Sequence, residues 1–181
     1  MQEARLGLAD TGLAPETAGW FVVNVRDAAW ETHAVGDACF FESEAVPFDQ
    51  LGIGVRVLWP GRSTWLYHSE SAQEDFLVLS GEALLLVEEQ ERSLRAWDFV
   101  HCPPGTAHAF VAVGDRPCAI VMVGARPVGH TFNYPRSELA LRHGVSVEAD
   151  TTSPAEALAS FREWMPLHRN DRGSLPWSDD T

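Results

Sequence analysis

Four side chains able to bind a metal ion lie within 41 residues of the sequence. His68 and Glu70 are two positions apart, so in a β-strand both side chains leave the same face. Glu74 heads the next strand-like run, while His108 follows the turn at 103–106, whose two prolines and glycine restrict the backbone. Imidazole and carboxylate donors that converge from neighbouring strands are typical of Mn, Fe, Zn or Ni sites. We therefore predict one divalent metal ion as the cofactor, bound by these four residues.

These residues lie in a stretch built of short strand-like runs. The first is IGVRVLW, which places Ile53, Val55 and Val57 on one face by alternation. The runs that follow are TWLYHSE, DFLVLS, ALLLVEE, WDFVHC, AHAFVAV and CAIVMVGA, with glycine, proline and charged residues between them. Many short strands with almost no helix between them predict an all-β protein, either an antiparallel sandwich or a small barrel.

The flanks of this stretch predict one structural domain in three parts. Residues 1–49 form an N-terminal extension that packs on the barrel and bears a strand over Trp20–Val25, a run rich in β-branched and aromatic residues. Residues 50–126 form the barrel itself. Residues 127–181 form a C-terminal extension, with a helix over 153–165 that begins at a capping serine and a first-turn proline.

The ligand candidates resemble the two sequence motifs of the cupin superfamily. The motif G-x5-H-x-H-x3,4-E-x6-G is similar to residues 61–81, and G-x5-P-x-G-x2-H-x3-N is similar to residues 97–112. The gap between them, residues 82–96, is short, as in compact microbial cupins. The resemblance implies a single-domain cupin fold, a double-stranded β-helix or jelly-roll barrel that binds a metal ion.

Carried over residue by residue, the resemblance implies metal binding by His68, Glu74 and His108. Three positions depart from the family pattern: Glu70 replaces the second histidine of the first motif, Trp97 the opening glycine of the second motif, and Ala112 its closing asparagine. Glu70 thus inherits a ligand position with a different donor. The Tyr-His-x-Glu form at 67–70 resembles a group of poorly characterised bacterial cupins, in which a Tyr-Pro element similar to residues 134–137 often follows the barrel.

The alternation of the strands also predicts a pocket beside the metal. Counting in steps of two from His108 and from Glu74 selects the inward-facing residues of both strands. The predicted pocket residues are Phe76, Val78, Phe110 and Ala112. The pocket should therefore be largely apolar, with extra room at Ala112, where the family pattern has a larger asparagine.

The composition excludes several classes of partner. The net charge of −13 repels phosphate backbones and anionic lipid headgroups, which argues against nucleic acid and membranes. The N-terminus lacks the basic and apolar segments of a secretory signal. Three widely spaced cysteines, Cys39, Cys102 and Cys118, fit a reducing cytoplasm. An exposed edge strand would allow a homodimer.

Three functions remain open on the sequence. The first is a metal-dependent enzyme that acts on a small organic molecule by oxygenation or isomerisation. The second is a non-catalytic module that binds or senses a small-molecule ligand in the same pocket. The third is a structural barrel that has lost its metal, which the departures at Glu70 and Ala112 would suit. A shared fold does not decide among them.

Overall fold

The computed structural model describes residues 1–33, 36–60, 65–159 and 165–167. This part of the chain contains two short helices, α1 (Glu138–Arg142) and α2 (Pro154–Ala157). Its strands are β1 (Leu6–Ala9), β2 (Gly12–Pro15), β3 (Glu31–His33), β4 (Gly36–Cys39), β5 (Leu51–Leu58), β6 (Ser69–Glu70), β7 (Glu74–Ser80), β8 (Glu82–Val87), β9 (Gln90–Arg95), β10 (Phe99–Cys102), β11 (His108–Ala112), β12 (Cys118–Ala125), β13 (Phe132–Asn133) and β14 (Met165–Pro166). The predicted all-β class is confirmed.

Two antiparallel sheets enclose the main core. The larger has the order β10-β7-β12-β5-β4-β3-β14, and the smaller has the order β11-β8-β9. The pair β13-β6 lies beside the smaller sheet, because the residue before β6, His68, forms a backbone bridge with His108 of β11. Apolar side chains from both sheets, including Leu58, Val78 and Leu85, pack together between them. This is the jelly-roll arrangement that the motifs predict.

Strand β5 is buried on both faces, which explains its composition. Val55 and Val57 point away from the barrel interior and pack against Trp30 of the N-terminal extension. Arg56 and Leu58 alternate with them and face the interior. The N-terminal extension therefore supplies a second hydrophobic core on the outer face of the large sheet.

The strand predicted over Trp20–Val25 is not formed. Within the described residues, its one sheet-like contact is a bridge between Trp20 and Glu3, although Val23 and Val25 pack on the Trp30 cluster. A segment with high β-propensity forms a strand only if a neighbouring backbone is available for pairing. The edge of β5 is already paired with β4. The N-terminal extension instead contains strands β1 to β4.

The helix predicted over 153–165 is shorter than expected. Ser153 caps it, accepting a hydrogen bond from the Glu156 amide at 3.3 Å, but α2 ends at Ala157. Met165 lies in β14 and pairs with Thr32 at the edge of the large sheet, while residues 160–164 lie outside the described residues. A capping motif marks where a helix begins and not where it ends.

Helix α1 follows the Tyr-Pro element and was not predicted. Ser137 accepts a hydrogen bond from the Ala140 amide at 3.0 Å, and Leu139 and Ala140 pack on the outer face of the small sheet. In the described part of the chain, neither helix has the length and apolar character needed to cross a bilayer.

Trp97 adopts a backbone conformation that explains the family's glycine at this position. Its φ is +74°, in the left-handed region that residues other than glycine seldom adopt. The turn holds it there, because its amide donates to the Val78 carbonyl at 2.8 Å. Its indole is 75% exposed and gains little from burial. The glycine of the first motif, Gly61, lies outside the described residues.

Candidate metal centre

The two candidate histidine ligands are held side by side by their own backbones. The His68 amide donates to the His108 carbonyl at 3.1 Å, and the His108 amide donates to the His68 carbonyl at 2.8 Å. This antiparallel bridge brings the two imidazole centroids to 5.0 Å. The two rings are neighbours although their residues are forty positions apart in sequence. His108, the first residue of β11, lies beside His68, the residue before β6.

Backbone carbonyls determine which ring nitrogens face the cavity. His68 Nδ1 lies 2.8 Å from the Leu66 carbonyl, and His108 Nδ1 lies 3.1 Å from the Thr106 carbonyl. A carbonyl oxygen only accepts, so each Nδ1 carries the proton and donates. Each Nε2 then presents a lone pair, the arrangement in which metal-binding histidines are usually held.

Glu74 completes a group of three converging donors. Its Oε2 lies 3.6 Å from His108 Nε2, and one donor atom each of His68, Glu74 and His108 lies within 4.8 Å of the others. Ligands that share an ion at bonds of about 2.1 Å are separated by roughly 3.0–4.2 Å, so small side-chain adjustments suffice. Two imidazoles and one carboxylate are a donor set that first-row divalent metals accept. The residues present therefore fit a metal ion.

Glu70 lies at the edge of this group. Its Oε1 is 3.5 Å from His68 Nε2, while its Oε2 is 2.7 Å from Nε2 of His130. The contact with His130 has an ion-pair distance without hydrogen-bond angles. His130 precedes β13, in the C-terminal extension, and no motif associated it with the site. One carboxylate oxygen of Glu70 is thus directed away from the three converging donors.

Burial controls the protonation of these groups. The pKa of Glu74 is raised to about 7, first by burial and then by the nearby charge of Glu70. The pKa of His108 is lowered to about 4, again mainly by burial, so its ring is neutral at pH 7. Burial also acts on Glu70, but contacts with His68 and the charge of His130 outweigh it and hold its pKa below the ordinary value. His108 can therefore act as a neutral nitrogen donor.

The three donors open into a cavity of about 330 Å³ between the two sheets. Its wall is mostly apolar and aromatic, formed by Phe40, Arg56, Leu58, Trp65, His68, Glu70, Glu74, Phe76, His108, Ala109, Phe110, Ile120, Met122 and Phe132. This volume is at the lower end of cavities that hold small organic ligands. The fold thus places a candidate metal site at the side of a compact, largely apolar pocket.

The four predicted pocket residues separate into two pairs. Phe76 and Phe110 lie in the cavity wall, with ring centroids 4.7 Å apart. Among the described residues, Val78 and Ala112 are in the packed core and not in this wall. All four face inward, but apolar side chains from both sheets fill the barrel at the level of Val78. The cavity is therefore shorter than the alternation alone predicted.

Arg56 is the charged wall residue that sequence reasoning missed. Its guanidinium carbon lies 5.0 Å from the centroid of the Trp65 ring, a cation–π contact. Burial lowers the pKa of Arg56 to about 10, so the side chain stays charged at neutral pH. The signal was present in the alternation of β5, since the residue between Val55 and Val57 must face the opposite side.

Two neighbours of the site are directed elsewhere. His101 lies on β10 and its Nδ1 is 2.6 Å from Asp75 Oδ1, with half of the imidazole exposed to solvent. Cys102 is buried, and burial together with Glu74 raises its thiol pKa to about 12. A thiol with that pKa stays protonated at neutral pH, as expected for a structural cysteine and not for a nucleophile.

Comparison with known proteins supports the cupin superfamily. Residues 54–124 match the family model of the cupin domain, whereas no curated protein sequence matches the chain. A solved structure from Acidithiobacillus ferrooxidans, proposed to be a sugar phosphate isomerase, is 22% identical with a TM-score of 0.51, covering 76% of this chain and 79% of its own.

Two further solved structures have a similar fold. A sugar phosphate isomerase of the cupin superfamily from Silicibacter pomeroyi is 21% identical with a TM-score of 0.54, covering 61% of this chain and 79% of its own. The polyketide cyclase RemF from Streptomyces resistomycificus is 17% identical with a TM-score of 0.53, covering 59% and 80%. At these identities the likeness shows the fold alone, the double-stranded β-helix of the cupins.

Proposed function

We propose that this protein is a metal-dependent enzyme that isomerises or oxygenates a small organic molecule in the barrel cavity. His68, Glu74 and His108 would hold one divalent ion, Mn, Fe, Zn or Ni. The observation that carries the proposal is the pair of Nδ1–carbonyl hydrogen bonds, which direct both Nε2 lone pairs toward the carboxylate of Glu74. A bound divalent ion supplies Lewis-acid polarisation of an oxygen on the substrate.

The protein's own residues would confine and orient the substrate. Phe76 and Phe110 form an apolar wall beside the donors, against which the apolar part of a substrate would pack. Glu70 lies next to His68 and 2.7 Å from His130, so its carboxylate would lie close to the substrate. Two of the similar structures carry the names of an isomerase and a cyclase, which supports an enzyme over a structural barrel.

A non-catalytic binding or sensing protein is the second candidate. The specific observation in its favour is the wall itself: apart from the three donors, Glu70 and Arg56, the described wall residues carry no charged side chain. Such a pocket could capture a ligand without providing further groups for chemistry. The two candidates differ in one measurable outcome, whether the ligand leaves the protein chemically changed.

The metal site is tested by elemental analysis of protein purified without a histidine tag. His108→Ala removes one of the two nitrogen donors, so the bound metal per chain should fall several-fold. His143→Ala is the matched control, because His143 pairs with Glu91 at 2.9 Å and is not among the residues of the metal group. Unchanged metal content in His108→Ala would contradict the assignment. A ligand recovered chemically unchanged from the metal-loaded protein would favour the binding protein over the enzyme.

A further inference from the structure

A second pocket, which we call the outer pocket, adjoins the cavity at the metal donors. Its volume is about 290 Å³. The cavity and the outer pocket share five wall residues, which are Phe40, Glu70, Glu74, Met122 and Phe132. The rest of its wall includes the start of β5, the end of β12, Arg126 and His130. Because Glu74 belongs to the metal group and Glu70 lies beside it, the two spaces meet at the candidate metal centre.

The outer pocket lies on the solvent side of the cavity. The side chains of Arg126 and His130 are 39% and 21% exposed. The shared carboxylate of Glu74 is 14% exposed, while His68 and His108, which line the cavity and not the outer pocket, are 8% and 3% exposed. Exposure therefore falls steadily from the outer pocket to the nitrogen donors. A molecule that follows this line from solvent reaches the donors through the outer pocket.

Three glycines lie on the inner face of the sheet at the outer pocket, and packing explains two of them. Gly52 and Gly54 are on β5, and Gly124 is on β12, where the register pairs it with Gly52. A Cβ at Gly52 would lie 2.9 Å from Nη2 of Arg126, and a Cβ at Gly54 would lie 2.7 Å from the Cys39 carbonyl oxygen. Both distances are too short for a side chain, so the fold itself requires these two glycines.

Packing does not explain Gly124. Among the described residues, a Cβ at this position would have one neighbour within 4 Å, Cγ of Glu74 at 3.9 Å, which is an ordinary van der Waals contact. The backbone of Gly124 is also outside the left-handed region that favours glycine. A glycine inside a strand weakens it, and such a residue often marks the close approach of another backbone or of a ligand. No described backbone approaches here, which leaves the ligand.

We infer that the outer pocket is the route by which small molecules enter the cavity, and that the missing side chain at Gly124 keeps this route open. The inference rests on the proposed function only in taking the cavity as the binding site, and it requires no bound metal. Gly124 is then a specificity-determining residue, because the part of a ligand that extends past Glu70 and Glu74 toward solvent occupies the space beside it. A larger side chain at this position would restrict both entry and the length of the ligand.

The test measures access to the cavity with a thiol as the reporter. Ile120→Cys places a thiol in the wall of the cavity and outside the outer pocket, where iodoacetamide, a small neutral reagent, would modify it. The three native cysteines are buried, and burial raises the pKa of Cys102 and Cys118 to about 12, so they should react slowly. Peptide mass spectrometry of the full-length protein, with and without EDTA, would give the rate at each cysteine. We expect the thiol at position 120 to react faster than the native thiols.

Closing the outer pocket should slow this reaction. Adding Gly124→Leu to Ile120→Cys should lower the rate at position 120 by about 10-fold or more, because the reagent must then wait for a local opening of the fold. Val128→Leu is the matched control and should leave the rate unchanged, since Val128 is fully exposed and lines neither space. The reporter thiol is the same in these proteins, so the ratio of rates reports access. Thermal unfolding checks that each variant is folded, and Leu58→Cys, in the same wall, is the second reporter if Ile120→Cys is not.

The outcomes separate the entrance from the proposed metal function. An unchanged rate in the folded double variant, or an equal slowing by Val128→Leu, would overturn the inference. A thiol at position 120 that reacts no faster than the native cysteines would also overturn it, since the cavity would then be closed to solvent. Elemental analysis of the same proteins tests the metal independently. Access controlled by Gly124 in a protein that binds no metal would refute the proposed function and leave the entrance standing.

Discussion

The ring of Tyr134 stacks on the imidazole of His68, with centroids 5.6 Å apart and 22° between the planes. Tyr134 is 1% exposed, and Phe132 stacks against it in turn at 6.4 Å and 17°. Both aromatic residues belong to the C-terminal extension, in or next to β13. The extension therefore fixes the ring plane of a ligand that the barrel provides. This gives the Tyr-Pro element after the barrel a physical role.

Removing this stacking partner should weaken metal binding without removing a ligand. Tyr134→Ala leaves the ring of His68 restrained on one side only by its hydrogen bond to the Leu66 carbonyl, and we expect the metal affinity to fall by about 10-fold, the lower end of the effects of groups that orient metal ligands. Tyr134→Phe keeps the ring and should bind metal like the wild type. Affinities would be measured by competition with a chromophoric chelator. Equal affinities in the alanine and phenylalanine variants would contradict the role of the ring.

The two glutamates near the metal site should differ in their effect on metal content. Glu74→Gln replaces a charged donor of the converging group and should lower the bound metal several-fold. Glu70→Gln should have the smaller effect, because one oxygen of Glu70 is held by His130 and not directed at the group. Elemental analysis of both variants decides the order. A larger loss in Glu70→Gln would place Glu70 among the ligands, as its sequence position predicts.

Filling the barrel below the cavity should lower the free energy of unfolding, in addition to any effect on ligand binding. Ala112 packs on the main core and pairs with the buried Ala83, so Ala112→Phe introduces a ring where space is already filled. We expect the free energy of unfolding to fall by about 1–3 kcal/mol, as is typical when a well-packed core is overpacked. Met122→Phe, in the cavity wall, is the comparison and should narrow the cavity with little loss of stability. Urea unfolding would compare the free energies of unfolding of the two variants, and an unaffected Ala112→Phe would reveal unfilled space there.

Relieving the backbone of Trp97 should stabilise the protein. Trp97→Gly removes the side-chain penalty at φ +74° and should raise the free energy of unfolding by about 1 kcal/mol. Trp97→Ala is the control, since it removes the indole but keeps a Cβ at the same positive φ. The two variants therefore separate the backbone effect from the loss of the ring. Thermal unfolding in which the alanine variant gains as much as the glycine variant would contradict this explanation.

An ion pair between the N-terminal extension and the residue after β12 should make stability depend on pH. Glu42 accepts two hydrogen bonds from Arg126, at 2.6 and 2.8 Å, and this pairing holds the pKa of Glu42 below its usual 4.5. Such a carboxylate stabilises the fold above pH 4.5, and the contribution is lost as the pH falls through the lowered pKa. Arg126 is 39% exposed, so solvent screens the pair and its contribution at pH 7 is about 1 kcal/mol or less.

Glu42→Gln should therefore be less stable than the wild type at pH 7, by that amount. The difference should shrink below pH 4.5, because the wild-type carboxylate then becomes protonated and the two side chains become similar. Urea unfolding at several pH values measures this dependence. If the difference in the free energy of unfolding stays constant to well below pH 4.5, the glutamine acts by disturbing the packing and not by removing the ion pair.

Local signals in the sequence were enough to predict the barrel and most of its candidate donors. Alternation located the strands of the barrel, and the cupin resemblance implied His68, Glu74 and His108, the three donors that the structure brings together. Such patterns are readable because a strand repeats every two residues, whatever its partners. The same local reasoning failed at Trp20–Val25, where the propensity is high but no neighbouring backbone is available.

The packing of the sheets sets which distant groups surround the donors. His130 contacts Glu70 across 60 positions, Arg56 enters the cavity from a strand that does not adjoin β7, and Tyr134 stacks on His68. Alternation indicates which face of β5 carries Arg56, but the groups that meet at the site depend on how β13 docks beside β6 and how β12 separates β5 from β7. The metal donors follow from motif positions with a defined spacing along the chain. The surroundings of the donors depend on how the two sheets pack together, which local sequence patterns do not specify.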